Sequence, residues 1–120
     1  MISYNHKIFR SVTTTDNGDV DDHTLFYYYQ QDDLVWAEYA GGDVVKGYLI
    51  AKADAQSTLD MRYQHLNAAG ELRTGTCRSV PELLPDGRLR LHETWQWTSG
   101  DGSSGESVVE EVESDAPFTD

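Results

Sequence analysis

Clusters of turn-forming residues recur at short intervals along the chain, and their spacing limits the fold more than any other feature of the sequence. Gly, Asn and Asp favour tight reversals because they adopt the positive φ angles that such turns need. The clusters are Asp16-Asn17-Gly18, Asp32-Asp33, Gly41-Gly42-Asp43, Asp54-Ala55-Gln56-Ser57, Asn67-Ala68-Ala69-Gly70, Pro85-Asp86-Gly87 and residues 99–105. They separate eight stretches rich in β-branched and aromatic residues, which favour strands. The spacing therefore predicts an all-β protein, an antiparallel up-and-down meander of eight strands.

Alternating side chains indicate which face of a strand is directed to the core. In residues 59–65 the odd positions form the apolar face, with Leu59, Met61, Tyr63 and His65. In residues 88–97 the odd positions again form it, with Leu89, Leu91, Glu93, Trp95 and Trp97. These two stretches predict strands with one buried and one solvated face.

Eight short antiparallel strands must protect the edges of their sheet. Closure into a barrel does this, and it leaves an interior able to hold one small ligand. We therefore predict a closed or nearly closed barrel over residues 1–114, followed by an acidic tail over residues 115–120. A two-sheet sandwich and an open sheet completed by a second copy in a homodimer remain alternatives.

The charge of the chain limits its partners. Its formal net charge is −12, with 21 acidic residues against nine Lys and Arg. Such a surface repels phosphate backbones and anionic lipid headgroups, so we expect neither nucleic acid nor a membrane as partner. Cys77 is the single cysteine and cannot form an intrachain disulfide. Because residues 1–7 also lack an apolar leader segment, we expect a cytoplasmic location.

Polar side chains on otherwise apolar faces are the best candidates for a site. Glu93 shares its face with two tryptophans, Arg10 lies between Ile8 and Val12, and Arg78 has the parity of Leu72 and Val80. A lone buried charge is costly unless it is paired or meets a ligand. One interpretation is an internal ion pair between Glu93 and Arg78 or Arg10. The other is a ligand site in which these charges lie beside walls formed by Tyr63, His65, Trp95 and Trp97.

No other chemistry is indicated by the sequence. The four histidines show no metal-ligand spacing, so we expect no metal and no cofactor. Cys77 shares a face with Gly75 and Ser79, which predicts a buried, inert thiol. The Gly-rich segment 99–105 lacks the lysine and helix of a phosphate-binding loop. We interpret it as a flexible hairpin loop that could cover the mouth of the barrel.

Several strings of residues are distinctive, among them Tyr39-Ala40-Gly41-Gly42, Gly70-Glu71-Leu72, Leu91-His92-Glu93 and Trp95-Gln96-Trp97-Thr98. With these strings the chain resembles a family of short, mostly bacterial proteins of unknown function, many of which carry the name N-acetylglutamate synthase. Acetyl-CoA-dependent acyltransferases need a pyrophosphate-binding loop leading into a helix, and the sequence has neither. The resemblance therefore implies a stand-alone domain and transfers no catalytic residues. In outline the chain is also similar to calycin-type barrels, the lipocalins and avidins.

These observations leave three functions open. The first is a small-molecule binding barrel with Glu93, an arginine and the aromatic side chains around its lumen. The second is an enzyme in which Glu93 acts as a general acid or base, assisted by His65 or Tyr63. The third is a structural or dimerisation module without a ligand.

Overall fold

Eight strands form where the sequence is rich in β-branched and aromatic residues. The computed structural model describes residues 2–112. Its strands are β1 (Lys7–Thr14), β2 (Leu25–Gln31), β3 (Leu34–Gly41), β4 (Val44–Ala53), β5 (Leu59–Asn67), β6 (Leu72–Leu83), β7 (Leu89–Trp97) and β8 (Ser104–Val112). The predicted acidic tail, residues 115–120, and the predicted domain end at residue 114 lie outside the described residues.

The strands pair in sequence order, and the first strand pairs with the last to close the barrel. The β1–β8 pairing is antiparallel, from Ile8 opposite Val112 to Thr14 opposite Ser107, with a bulge between Ser11 and Thr13. Each strand thus has two neighbours. The predicted closed meander is confirmed, and the sandwich and the open sheet are wrong. The homodimer stays a prediction.

Residues 2–112 contain no helix, and hence none that could cross a bilayer. Six of the predicted turns fall where consecutive strands are joined by short connections. The β2–β3 turn uses Asp32 at a φ of 55°, and the β3–β4 turn uses Gly42 at a φ of 62°, the left-handed conformations that these residue types favour. The β1–β2 connection differs, because it spans residues 15–24 and is a loop rather than a tight turn.

Side chains fill one end of the barrel. Phe9, Val35, Leu59 and Leu91 are all fully buried there. Tyr4, from the segment before β1, is also fully buried, and its hydroxyl donates a hydrogen bond to the Ser57 carbonyl in the β4–β5 connection. Because this end is plugged, a cavity can form only towards the other end, where the β1–β2 loop lies.

The structure corrects the predicted positions of Arg10 and Arg78. Both side chains are exposed on the outside of the barrel. In β1 the residue directed inward beside Arg10 is Phe9, while Val12 is 53% exposed. In β6, the apolar character of Leu72 and Val80 suggested that Arg78 is directed inward with them. These two residues are themselves on the outside of the barrel, and Leu72 is 80% exposed.

The limited space inside the barrel explains why Arg78 on β6 lies outside. Its inward residues are the small Gly75, Cys77 and Ser79. A Cβ atom at Gly75 would lie 2.2 Å from Cζ of Tyr63, so a larger residue there would displace the tyrosine ring. The strand therefore turns its small residues inward, although its larger apolar residues lie on the opposite face.

Candidate functional site

An internal cavity of about 60 Å³ lies at the end of the barrel opposite the Tyr4 plug. Its walls are mostly aromatic and aliphatic, with a few polar groups among them. The residues that line it are Gly18, Asp19, Val20, Phe26, Tyr39, Leu49, Met61, Tyr63, His65, Cys77, Glu93, Trp95, Trp97 and Ser107. Five of the seven residues predicted for a site, namely Tyr63, His65, Glu93, Trp95 and Trp97, line this cavity, and Arg10 and Arg78 do not.

Three aromatic rings form one wall of the cavity. Trp95 and Trp97 alternate inward on β7, with ring centroids 5.5 Å apart and an interplanar angle of 63°. Tyr63 on β5 meets Trp97 edge to face at 5.7 Å. Glycine makes room for this wall, because a Cβ atom at Gly105 on β8 would lie 2.3 Å from Cζ2 of Trp95. The rings are therefore fixed by edge-to-face packing and by glycine on the adjoining strands.

Glu93 carries the carboxyl group of the cavity. It lies on β7 opposite Ser79 on β6 and Ser107 on β8. The Ser107 hydroxyl donates a hydrogen bond of 3.3 Å to Oε1 of Glu93. Burial raises the pKa of Glu93 from its ordinary 4.5 to about 7, and the nearby serine hydroxyls only partly oppose the shift.

No cation neutralises Glu93 within the described part of the chain. Every ion pair of Lys or Arg found in residues 2–112 involves another carboxylate. The internal ion pair with Arg78 or Arg10 considered from the sequence is therefore wrong, because both arginines are on the outer surface. The carboxyl group faces the cavity without a charged partner.

Ser79 is the second serine beside Glu93. Its side chain is fully buried. Its hydroxyl oxygen has no partner at full hydrogen-bond geometry among the described residues, but it is close enough to Glu93 to lower the pKa of that carboxyl group. Ser79 therefore belongs to the surroundings of Glu93, while it is not among the residues that line the cavity.

The charge of Glu93 affects the rest of the interior. Burial is the main cause that raises the pKa values of the inward tyrosines 4, 28, 39 and 63, and the Glu93 carboxylate raises each of them further. Both causes also raise the pKa of the Cys77 thiol. Cys77 is buried, as predicted, and its raised pKa keeps it in the unreactive thiol form.

A chain of hydrogen bonds crosses the mouth of the cavity. The Tyr39 hydroxyl lies 2.9 Å from Nδ1 of His65, and Nε2 of His65 lies 2.8 Å from Oδ2 of Asp19. A carboxylate can only accept, so Nε2 carries the proton that is donated to Asp19. Both ring nitrogens of His65 are thus engaged, and neither is free to meet a ligand.

Asp19 holds the β1–β2 loop onto the barrel. Besides His65, it accepts a hydrogen bond of 3.3 Å from Asn67, and it lies 3.6 Å from the Arg73 guanidinium. Arg73 also stacks over Trp97, 3.7 Å from the ring centroid. Trp97 donates its indole N–H to the Asn17 carbonyl at 2.9 Å. Several contacts from three strands thus fix the loop across the mouth.

The sequence pointed to a different segment as the cover of the barrel. The Gly-rich connection between β7 and β8 lies beside the mouth, where Ser103 accepts a hydrogen bond from Asn17. The loop residues that line the cavity belong instead to the β1–β2 loop, namely Gly18, Asp19 and Val20. The prediction of the Gly-rich loop as the cover is therefore wrong, and that connection supports the covering loop from the side.

Two residues of the site were missed from the sequence. Tyr39 could have been found, because Val35, Ala37 and Tyr39 alternate inward along β3. Asp19 could not, because its partners are 46 or more positions away in the chain and meet it only after the barrel closes. Nothing in the local sequence separates Asp19 from the other acidic residues of its loop.

A group of potential metal ligands lies elsewhere on the β1–β2 loop. In residues 2–112 only Asp21, Asp22 and His23 bring three such groups within 4.8 Å of one another. Asp22 and His23 are exposed. The His23 ring already lies 3.1 Å from the Asp22 carboxylate, so contacts inside the group account for its geometry.

Comparison with known proteins agrees with the architecture. A family model described as "Avidin-like protein" matches residues 2–112. Searches of curated proteins and of solved structures found no match. The match covers nearly the whole chain, and the structure over the same residues is a closed antiparallel barrel of eight strands, so the calycin-like outline predicted from the sequence is confirmed. The chain belongs to the avidin-like protein family.

Proposed function

We propose that the protein binds a small molecule inside the barrel, in the cavity next to Glu93. The observation that carries this proposal is a carboxyl group without a charged partner that faces a cavity with aromatic walls. Ligand sites combine apolar walls with a few convergent polar groups, and this cavity has that composition. Membership of the avidin-like family supports the same function.

The size of the cavity limits the ligand. A water molecule occupies roughly 10–15 Å³ in comparable terms, so a volume of about 60 Å³ holds about four to six waters. A compound with a handful of non-hydrogen atoms fits without rearrangement. A larger ligand requires the β1–β2 loop to move, because Gly18, Asp19 and Val20 form the part of the wall that is not in a strand.

Native mass spectrometry of protein purified from its own host tests the proposal. We expect an added mass that is present under native conditions and lost on denaturation. Leu49 lines the cavity, so Leu49→Phe should reduce the occupied fraction by filling the space. Tyr48→Phe is the matched control, because Tyr48 is the adjacent residue and is 47% exposed on the outside. Equal native and denatured masses for the host-purified wild type would overturn the proposal.

An enzyme remains the second candidate, and one observation favours it. The raised pKa of Glu93, about 7, is suited to a general acid or base near neutral pH. Tyr63 lines the same cavity, whereas both nitrogens of His65 are engaged. If Glu93 catalyses a reaction, Glu93→Gln should retain a compound whose mass differs from that of the compound bound to wild type. Identical bound masses would leave binding as the function.

A further inference from the structure

The carboxyl group of Glu93 is unusual because no cation in the described part of the chain compensates its charge. Burying an ionised carboxylate costs several kcal/mol unless a cation and hydrogen bonds offset the cost. Glu93 accepts a hydrogen bond of 3.3 Å from Ser107, and the Ser79 hydroxyl also favours its ionised form. A carboxylate can accept about four hydrogen bonds, so Glu93 keeps capacity for a donor in the cavity it lines.

The Ser79 hydroxyl lies beside this carboxyl group, fully buried and outside the cavity lining, and it is directed at Glu93 rather than at a ligand. Glu93 is thus the group on this side of the cavity that can accept from a ligand. A ligand that only accepts hydrogen bonds would leave the carboxylate unpaired.

The aromatic wall suits a cation as well. Positive groups are attracted to the faces of Trp and Tyr rings, more strongly when water is excluded. Trp97 already demonstrates this preference, because the Arg73 guanidinium stacks over its ring at 3.7 Å from the centroid. Trp95 and Tyr63 line the cavity on the same side of the barrel as Trp97.

From these features we propose that the ligand is a small organic cation with N–H donors, a primary or secondary ammonium compound. Its nitrogen donates to Glu93, and its apolar part lies against Trp95 and Tyr63. The inference rests on the proposed function and specifies the ligand class for that site.

Electrostatics in the rest of the molecule agree with a cation. Asp19 contributes a second carboxylate to the cavity lining, and the net charge of the chain is −12. An anion would meet Glu93 in a medium of low polarity, where repulsion between like charges is strong. The same field raises the local concentration of cations around the barrel.

A pair of isosteric probes tests the charge requirement. Isobutylammonium and isobutanol have the same shape and differ in charge, and both are small enough for the cavity. Dissociation constants are measured by calorimetry at about pH 8, where Glu93 is ionised. We expect wild type to bind the ammonium compound at least tenfold more tightly than the alcohol, because the carboxylate and the rings both favour a cation.

Variants locate the preference at Glu93. Glu93→Gln keeps the shape of the side chain and removes its charge, so it should bring the two dissociation constants to within about threefold of each other. Glu38→Gln is the matched control, because Glu38 is exposed on the outside of β3. NMR provides the position of binding, since the indole signals of Trp95 and Trp97 should shift while that of Trp36, which stacks on Tyr29, should not.

The outcomes separate this inference from the proposed function. Equal affinity of wild type for the two probes, the same preference in Glu93→Gln, or no binding of either probe would each overturn the assignment of an ammonium ligand. Retention of a host-derived neutral or anionic compound in the cavity would also overturn it, while leaving the proposed function intact. Absence of any retained compound would overturn the proposed function itself.

Discussion

At the scale of single residues, one carboxyl group determines the electrostatics of the barrel interior. Glu93 is the acidic residue that the strands contribute to the cavity lining, and its charge contributes to the raised pKa values of four tyrosines and a cysteine. Its own pKa is raised to about 7 by burial. The folded state therefore holds a proton on Glu93 at pH values where the unfolded chain releases it.

This difference predicts how stability changes with pH. The folded pKa of Glu93 is raised above its unfolded value, so its contribution to stability is present below about pH 4.5 and is lost as pH rises through about 7. Relative to Glu93→Gln, wild type should lose about 2 to 3 kcal/mol of unfolding free energy between about pH 5 and about pH 8. Urea unfolding curves at several pH values measure this loss.

A difference measurement isolates Glu93 from other titrating groups. The groups around it are Tyr4, Tyr28, Tyr39, Tyr63, His65, Cys77 and Asp19. They are present in both proteins, so their titration largely cancels in the comparison. The unfolding free energy of the exposed control Glu38→Gln should change with pH as that of wild type does. If the difference in unfolding free energy between wild type and Glu93→Gln is the same at every pH, the carboxyl group is not buried in the folded state.

The sequence identified Glu93 but not the positions of the arginines, for a physical reason. Alternation along β7 places Glu93 on the face of its two tryptophans, and both are buried. Parity divides the residues of a strand into two faces without deciding which face is inside. In β6 the inward face is determined by Tyr63 on the neighbouring strand β5, because its ring leaves room only for glycine at position 75. Arg78 lies on the face opposite to Gly75 and is therefore outside.

At the scale of elements, strands and turns were predicted more fully than the loop that covers the cavity. The strands and short turns follow from local residue preferences, which a single sequence displays. The position of the β1–β2 loop depends on contacts with β5, β6 and β7 that exist only in the folded barrel. Asp19 is the residue on which most of these contacts converge.

Removal of the Asp19 side chain should loosen the loop. Hydrogen bonds to charged groups contribute about 1.5 to 3 kcal/mol each, so Asp19→Ala should increase local opening roughly ten- to hundredfold. The indole N–H of Trp97 reports this opening, because it donates to the Asn17 carbonyl in the loop. NMR hydrogen exchange of that indole measures the change. The control is Asp16→Ala, an exposed acidic residue of the same loop; equal exchange in the two variants would contradict the role of Asp19.

At the scale of the whole molecule, negative charge opposes the compact state. A net charge of −12 on a 13.5 kDa chain brings like charges together when the barrel forms. The attraction of cations to the cavity and the repulsion within the folded protein thus have the same origin. Salt weakens both effects, because it screens charges separated by more than about 10 Å.

Salt should therefore stabilise the protein at neutral pH. Between about 10 mM and about 0.5 M sodium chloride we expect the thermal midpoint at pH 7 to rise by about 3–6 °C, which corresponds to about 1 kcal/mol. Circular dichroism measures the midpoint. At pH 4.5, near the isoelectric point, the same salt series should have little effect. An equal rise at both pH values would indicate a cause other than charge repulsion.

The pairing of β1 with β8 also determines when folding can finish. Partners such as Ile8 and Val112 are separated by nearly the whole described chain, and contacts of such long range slow the folding of β proteins. During synthesis on the ribosome the barrel cannot close until β8 has emerged. Until then, β1 and the newest strand are open edges that can pair with other chains. The cavity next to Glu93 is thus completed in the last step of folding.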